Sequence, residues 1–408
     1  MKSAPRVVCW LVLLFSLIYL NGCSIVKAIK TVNGGQLVST NVTPAVVPFT
    51  LTGHPILIKA RINNSPKEYT FMLDTAALTI VRKEVAEELK LPQGVKVAMR
   101  GSGGNSKEID LITLNSLRVG TQEVAQCAAG VIDMSFLNFK DVAGVIGSNF
   151  LRYFVTTIDF TNNTLILSPP RTQHAPPMGG ITIPFTIDAK NGFAPAIDCV
   201  VDNEIHDTVL IDTGAPVCLI PSYMVKKTNG YKRGKTIKAI GSMSKGIGGL
   251  SEEDHAVRLD DLKIDDLLFH NVPTFSHLSK NGQLLIGNHI LSRYTVTLDY
   301  PNGLMTLVPN GKPFMDNFPI YGLNLDKQDE KLLVVGYWPN SPAAKMGLKI
   351  GDEVIRLNNS KAMNFSALDL MKLFISEDTE GAIELEILRD GEKRRVVLHK
   401  ENMFPPVR

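Results

Sequence analysis

Phe71-Met72-Leu73-Asp74-Thr75-Ala76-Ala77 and Val209-Leu210-Ile211-Asp212-Thr213-Gly214-Ala215 are the two stretches on which the reading of this chain turns. Each is an apolar run, the pattern of a buried strand, that stops abruptly at Asp-Thr, a small residue and Ala. Their surroundings match too. Pro48-Phe49-Thr50 and Pro184-Phe185-Thr186 lie upstream, and Val145-Ile146-Gly147-Ser148-Asn149-Phe150-Leu151 and Leu285-Ile286-Gly287-Asn288-His289-Ile290-Leu291 lie downstream. Thr157-Ile158-Asp159-Phe160 is then echoed by Thr297-Leu298-Asp299-Tyr300. Asp74 precedes Gly147 by 73 residues and Asp212 precedes Gly287 by 75. Capping of a turn after a buried strand explains one such aspartate. It does not explain four landmarks at a near-constant offset, which read as a duplication.

Between the landmarks the chain reads as short strands, Pro55 to Ile62, Glu68 to Leu73 and Thr164 to Leu167 among them. Asn63-Asn64-Ser65-Pro66, Asp202-Asn203 and Asn302-Gly303 supply the turns. One helix is expected in each copy, Arg82 to Leu89 and Ser222 to Lys227. The expected class is mostly β. A length of 408 residues asks for two or three domains, and 44% hydrophobic with 20% charged residues is globular composition.

The N-terminus reads as an export signal. Lys2 and Arg6 precede an apolar run from Val7 to Leu20, too short for a membrane span and right for a signal-peptide core. Without those two cations 41 basic residues face 40 acidic ones, a balance that gives no reason to expect nucleic acid. Cys127, Cys199 and Cys218 show no CxxC spacing, and the histidines do not cluster, so no metal and no cofactor are expected.

Several resemblances follow from these residues. Leu20-Asn21-Gly22-Cys23 resembles the bacterial lipobox, which implies residues 1–22 as a lipoprotein signal peptide, acylation of Cys23 and a tether over 23–45. Membrane contact is then through the lipid anchor, in the periplasm-facing envelope, and Ser24 favours the outer membrane. The Asp-Thr repeats resemble the retropepsin-like aspartic peptidases over about 48 to 310. That implies two acid-protease β-barrel lobes, 46–170 and 180–312, each giving one catalytic aspartate, Asp74 and Asp212. In such a site two close carboxyls share a proton, and activated water hydrolyses a peptide bond. The resemblance gives Thr75 and Thr213 a cross-lobe hydrogen-bonding role, and Ala76 and Gly214 backbone N–H groups facing the carboxyls. Gly147 and Gly287 are expected where a strand packs directly behind each loop. Gly103 and Gly104, and Gly248 and Gly249, are expected in flaps, with plain surface turns as the alternative. One departure is Ala76, where the family has Gly. A Cβ there is expected to strain the loop, which keeps a weak or inactive peptide-binding adaptor open beside the peptidase.

Residues 319–402 resemble bacterial PDZ domains, partly open β-barrels with helices. Ser341-Pro342-Ala343-Ala344, Met346-Gly347-Leu348 and Gly351-Asp352-Glu353-Val354-Ile355 carry that resemblance. It implies a site for a protein C-terminus, with Tyr321, Gly322 and Leu323 as the carboxylate loop and Leu370 on the facing helix. A PDZ fold used only for packing is the alternative. The expected partners are therefore protein or peptide substrates and a C-terminal peptide ligand.

Overall fold

The computed structural model describes residues 25–38, 43–100, 106–135, 141–170, 179–246, 249–277, 282–375 and 381–407. Cys23, the signal peptide, Gly103, Gly104 and Gly248 lie outside the described residues.

The protein is mostly β, with barrel-like sheets. In the first half, the strand Tyr69–Leu73 runs into Asp74 and lies parallel to Gly144–Ile146, with Leu73 opposite Ile146. Gly144–Ile146 is also antiparallel to Ile80–Arg82, the strand that follows the Asp-Thr loop. The second half repeats the arrangement. Ile205–Ile211 is parallel to Leu284–Ile286, which pairs on its other side with Cys218–Pro221. The apolar pair before each late glycine is thus a central strand wedged between the two arms of an Asp-Thr loop. That position explains Gly147, where a Cβ would lie 2.2 Å from the Ala77 carbonyl oxygen. It also explains Gly287, where a Cβ would lie 2.3 Å from that of Val217.

A six-stranded sheet joins the halves. At its centre Val155–Asp159 is antiparallel to Tyr294–Asp299, and Thr157 sits opposite Thr297 with 2.9 Å between hydroxyls. Val155 faces Asp299 and Asp159 faces Thr295, so a local twofold axis passes through the threonine pair. One hydrophobic core runs through both halves, from Ala45 to Leu307.

Residues 319–402 form their own core around Tyr321, Leu332, Val354 and Leu385. The sheet runs in the order Leu323–Gln328, Lys331–Tyr337, Glu353–Leu357, Ala382–Arg389 and Glu392–His399. Asp390-Gly391 makes its hairpin, both residues having positive φ as a two-residue turn between twisted strands requires. The helix Ala367–Ile375 begins with a reciprocal cap: Asp369 N–H donates to Ser366 Oγ at 3.1 Å and Ser366 N–H donates to Asp369 Oδ2 at 2.7 Å.

One expectation needs correction. The described part of the 23–45 tether is docked, not free: Gln36–Leu37 pairs with Gln122–Ile132, and Arg152 Nη2 donates to the carbonyls of Asn33 and Gly34. Leu37 buries apolar surface there, and the pairing covers an open sheet edge. The second glycine-rich stretch reaches beyond its own barrel. Ile240–Gly241 leaves the second barrel and pairs with Lys331–Tyr337, placing Ile240 opposite Tyr337 and Gly241 opposite Gly336.

Candidate active site

The two strands that precede the Asp-Thr loops deliver their carboxyls to one floor. Asp74 N–H donates to the Ile146 carbonyl at 3.0 Å and Asp212 N–H to the Ile286 carbonyl at 2.9 Å, so each loop hangs from its own central strand. Four hydrogen bonds then tie the loops to each other. Thr75 N–H donates to Thr213 Oγ1 at 3.1 Å and Thr213 N–H to Thr75 Oγ1 at 3.0 Å. Thr75 Oγ1 in turn donates to the Ile211 carbonyl at 2.6 Å, and Thr213 Oγ1 to the Leu73 carbonyl at 3.2 Å. Both threonines are fully buried.

The loop amides turn towards the carboxyls. Ala76 N–H donates to Asp74 Oδ1 at 2.9 Å, while Gly214 and Ala215 N–H donate to Asp212 Oδ1 at 2.8 and 3.0 Å. The two carboxyls are hydrogen-bonded to one another. Burial raises both above the ordinary carboxylate range. Asp212 is raised the more strongly, by burial and then by the second negative charge that Asp74 places beside it, while loop amides ease ionisation of both. The two carboxyls therefore hold a proton as a pair.

Ala76 does not strain its loop, contrary to expectation. Neither it nor Gly214 adopts a positive φ, so an L side chain meets no torsional penalty at either place. The need for glycine lies instead in the second loop, where a Cβ on Gly214 would stand 2.4 Å from Asp74 Oδ2 and 2.5 Å from its Cγ. Asp74 therefore lies directly over Gly214.

Sequence patterns gave no sign of the residues that brace the loops from behind. Ser148 Oγ donates to the Thr75 carbonyl at 2.6 Å and contacts the buried hydroxyl of Tyr300 at 2.6 Å. In the other half Asn288 Nδ2 donates to the carbonyls of Thr213 and His54, at 2.8 and 2.9 Å. The His54 ring is buried and hydrogen-bonded to the Gly214 backbone; burial lowers its pKa to about 3, which keeps it neutral. Serine and asparagine occupy matched positions with one task, and only their places after Gly147 and Gly287 relate them.

A cavity of about 2330 Å³ opens above the pair. The hairpin of Val95–Arg100 and Ser106–Val119 forms one wall through Val97 and Met99. Lys245–Gly246 pairs with Gly249–Leu250 and forms part of another, with Gly249 at φ 102° in that hairpin. The base of this second hairpin is held by Asp254, a buried carboxylate that accepts from Met243 N–H at 2.7 Å and from Ser244 Oγ at 2.9 Å. Gly322, Leu323 and Leu370 line the same cavity. Tyr321 reaches it at its edge, but its side chain is core, with its hydroxyl donating to the Gly381 carbonyl at 2.9 Å. Gly322 has φ 82° and lies against Ser341, whose Cβ would be 2.1 Å from a Cβ placed there. Cys127, Cys199 and Cys218 are buried, unpaired thiols raised to about 12 by burial. No group of metal-ligating side chains occurs among the described residues.

Residues 58–150, which include Asp74 and Gly147, match the model of a family described as aspartyl protease. Over 99 residues the chain is 25% identical to serine endoprotease DegS of Haemophilus influenzae, a match covering 24% of this chain and 28% of that protein. Solved structures similar to it include the aspartic proteinase of Irpex lacteus, at 13% identity and a TM-score of 0.43 over 66% of this chain and 98% of the other. Another, titled edgp, has 10% identity and a TM-score of 0.40 over 66% of this chain and 96% of the other.

The threonine exchange makes the two loops a single unit, so breaking it should cost stability out of proportion to one hydroxyl. Thr213→Val leaves the Thr75 N–H and the Leu73 carbonyl buried without partners, a loss of roughly 2–5 kcal/mol. Chemical denaturation should show that loss; a change below about 0.5 kcal/mol, the level of a surface substitution, would mean the loops hold without the exchange.

Proposed function

We propose that this chain is an aspartic endopeptidase of the bacterial envelope, hydrolysing peptide bonds through Asp74, Asp212 and an activated water. One observation carries the reading: two buried carboxyls share a hydrogen bond at the floor of a large cleft, on loops locked together by Thr75 and Thr213. The aspartyl protease match over residues 58–150 supports it.

The chemistry follows from the shared proton, with Asp212, the more strongly raised of the two, taken as the acid. Ionised Asp74 takes a proton from the attacking water, and protonated Asp212 gives its proton to the carbonyl oxygen of the substrate. On collapse of the tetrahedral adduct the C–N bond breaks, Asp74 passes the proton it took from water to the departing nitrogen, and Asp212 recovers its proton from the adduct's hydroxyl. Neither carboxyl bonds covalently to substrate. The loop amides of Ala76, Gly214 and Ala215 hold the carboxyls in place, so little reorganisation is needed at reaction. Nothing in the first loop favours the inactive-adaptor alternative, since the Ala76 amide is 2.9 Å from Asp74 and its backbone is relaxed.

We read residues 319–402 as a PDZ domain that binds a protein C-terminus, and Cys23 as the lipidated N-terminal residue of the mature chain, facing the periplasm. The open edge of Leu323–Gln328 beside the helix Ala367–Ile375 supports the first. The second rests on the lipobox-like sequence. Labelling with a fatty-acid analogue tests the anchor: Cys23→Ser should abolish incorporation and release the protein from membranes, and undiminished labelling would remove lipidation from the proposal.

For catalysis, Asp74→Asn and Asp212→Asn should each lower kcat by about 10³-fold or more, whereas Ala76→Gly should leave turnover within a small factor. The rate should follow a bell in pH. Below the first ionisation no base exists; above the second no acid remains. Because both carboxyls are raised, the alkaline limb should lie above the ordinary carboxylate range. The same shift fixes the sign for stability. A carboxyl raised on folding stabilises below its unfolded value and loses that contribution as pH climbs through its folded value. Asp212→Asn should therefore raise, not lower, Tm at neutral pH. Turnover that survives either asparagine would exclude the shared-proton mechanism.

A further inference from the structure

The groove of the C-terminal unit and the catalytic cleft are one space. Asp74 and Asp212 line the same cavity as Gly322, Leu323, Leu325 and Leu370. The groove is also fixed in orientation to both barrels. On the second barrel, Ile240–Gly241 is a strand of the C-terminal sheet, Ser242 N–H donates to the Val335 carbonyl at 2.9 Å, and Asn324 Nδ2 donates to the Ser242 carbonyl at 3.0 Å. Gly336 permits this approach, since a Cβ there would lie 2.1 Å from the Ser242 carbonyl oxygen. Lys245 and Asp326 add an ion pair of 2.6 Å with side chains only 24% and 13% exposed. Phe275 of the barrel packs between Phe318 and Trp338, with ring centres 5.7 and 5.6 Å away.

The first barrel is held as well. Ala367, Leu368 and Met371 of the groove helix pack on the cluster around Ile80, Ile109 and Met134. Gly53 lies so close to that helix that a Cβ would be 3.2 Å from the Lys372 backbone. The groove is therefore held against both barrels, with contacts on both sides of the cleft.

The loop at the end of the groove turns its carbonyls away from the open edge. The Tyr321 and Gly322 carbonyls are taken up inside, by Ala343 N–H at 3.0 Å and by Trp338 N–H at 2.9 Å. Lys400 Nζ stands 5.5 Å from the Tyr321 ring centre and adds positive charge beside the loop. Leu323–Gln328 pairs on one edge with Lys331–Tyr337 and has no strand on its other edge among the described residues. An extended chain adding antiparallel to that edge, with its carboxylate at the loop, runs on past Leu325 and Lys327, both of which line the shared cavity.

We propose that the protein cuts polypeptides at a fixed span from a free C-terminus. The terminal carboxylate docks at Tyr321–Leu323, the last side chain lies against Leu370, and the bond that then reaches Asp74 and Asp212 is hydrolysed. Water supplies hydroxyl to the new upstream carboxylate and hydrogen to the new amine, so the released fragment is a C-terminal peptide of uniform length. This rests on the peptidase reading above and adds its substrate class.

The test uses the full chain and a series of peptides, each with one statine-type isostere placed at increasing distances from the C-terminus, made as free acids and as amides. Two linked contacts in one cavity raise affinity only where the linker matches the span. Affinity among the free acids should peak at one spacing, about 10²-fold or more above the matching amide, and cleavable peptides should yield C-terminal fragments of that one length. If the isostere binds equally at every spacing and in both forms, the fixed-span proposal is overturned while the peptidase reading stands. If no isostere binds at all, both fall.

Discussion

Four hydrogen bonds made by two buried threonines set the geometry on which everything else in this protein depends. Thr75 and Thr213 each reach across the boundary between the barrels, and each serves the other's loop as both donor and acceptor. Neither barrel can satisfy these loop groups alone, because the carbonyls of Leu73 and Ile211 receive their partners from the opposite half. The requirement that buried backbone groups be paired thus forces the halves together at one point. The local twofold through Thr157 and Thr297, in the sheet shared by the halves, gives the same relation a second anchor.

The exchange brings the carboxyls of Asp74 and Asp212 into contact, an arrangement that costs free energy. Burial disfavours either charge and proximity disfavours the second, which is why the pair holds a proton that isolated aspartates would lose. Loop amides partly offset that cost on both sides, those of Ala76 and Ala77 for Asp74 and those of Gly214 and Ala215 for Asp212. The two sides differ at Ala76 and Gly214, since a Cβ at Gly214 would meet the Asp74 carboxyl. Two matched loops thus hold one proton between two carboxyls.

Much of this was legible in the sequence. The Asp-Thr repeats and the apolar pairs before Gly147 and Gly287 carry short-range constraints, a buried strand ending at a loop and a glycine under close backbone approach, and such constraints leave fixed residue types. Turn chemistry was equally plain at Asp390-Gly391 and Asn63-Asn64, all four with positive φ. The braces behind the loops were not legible, since Ser148 and Asn288 do one task with different atoms and His54 is a lone histidine before a strand. The torsional argument against Ala76 failed because the loop is held by hydrogen bonds in ordinary backbone geometry. Nor did any local pattern show that Ile240–Gly241 would join a sheet some ninety-five residues ahead, because pairing of an isolated two-residue strand is decided by the partner edge it meets.

The most direct test of the account is to follow the carboxyl carbons of Asp74 and Asp212 by NMR through a pH titration, with the asparagine variants used for assignment. The account predicts that the two signals titrate together, in two steps, with one member of the pair still protonated well above the ordinary carboxylate range. Two independent transitions, both within that ordinary range, would contradict it.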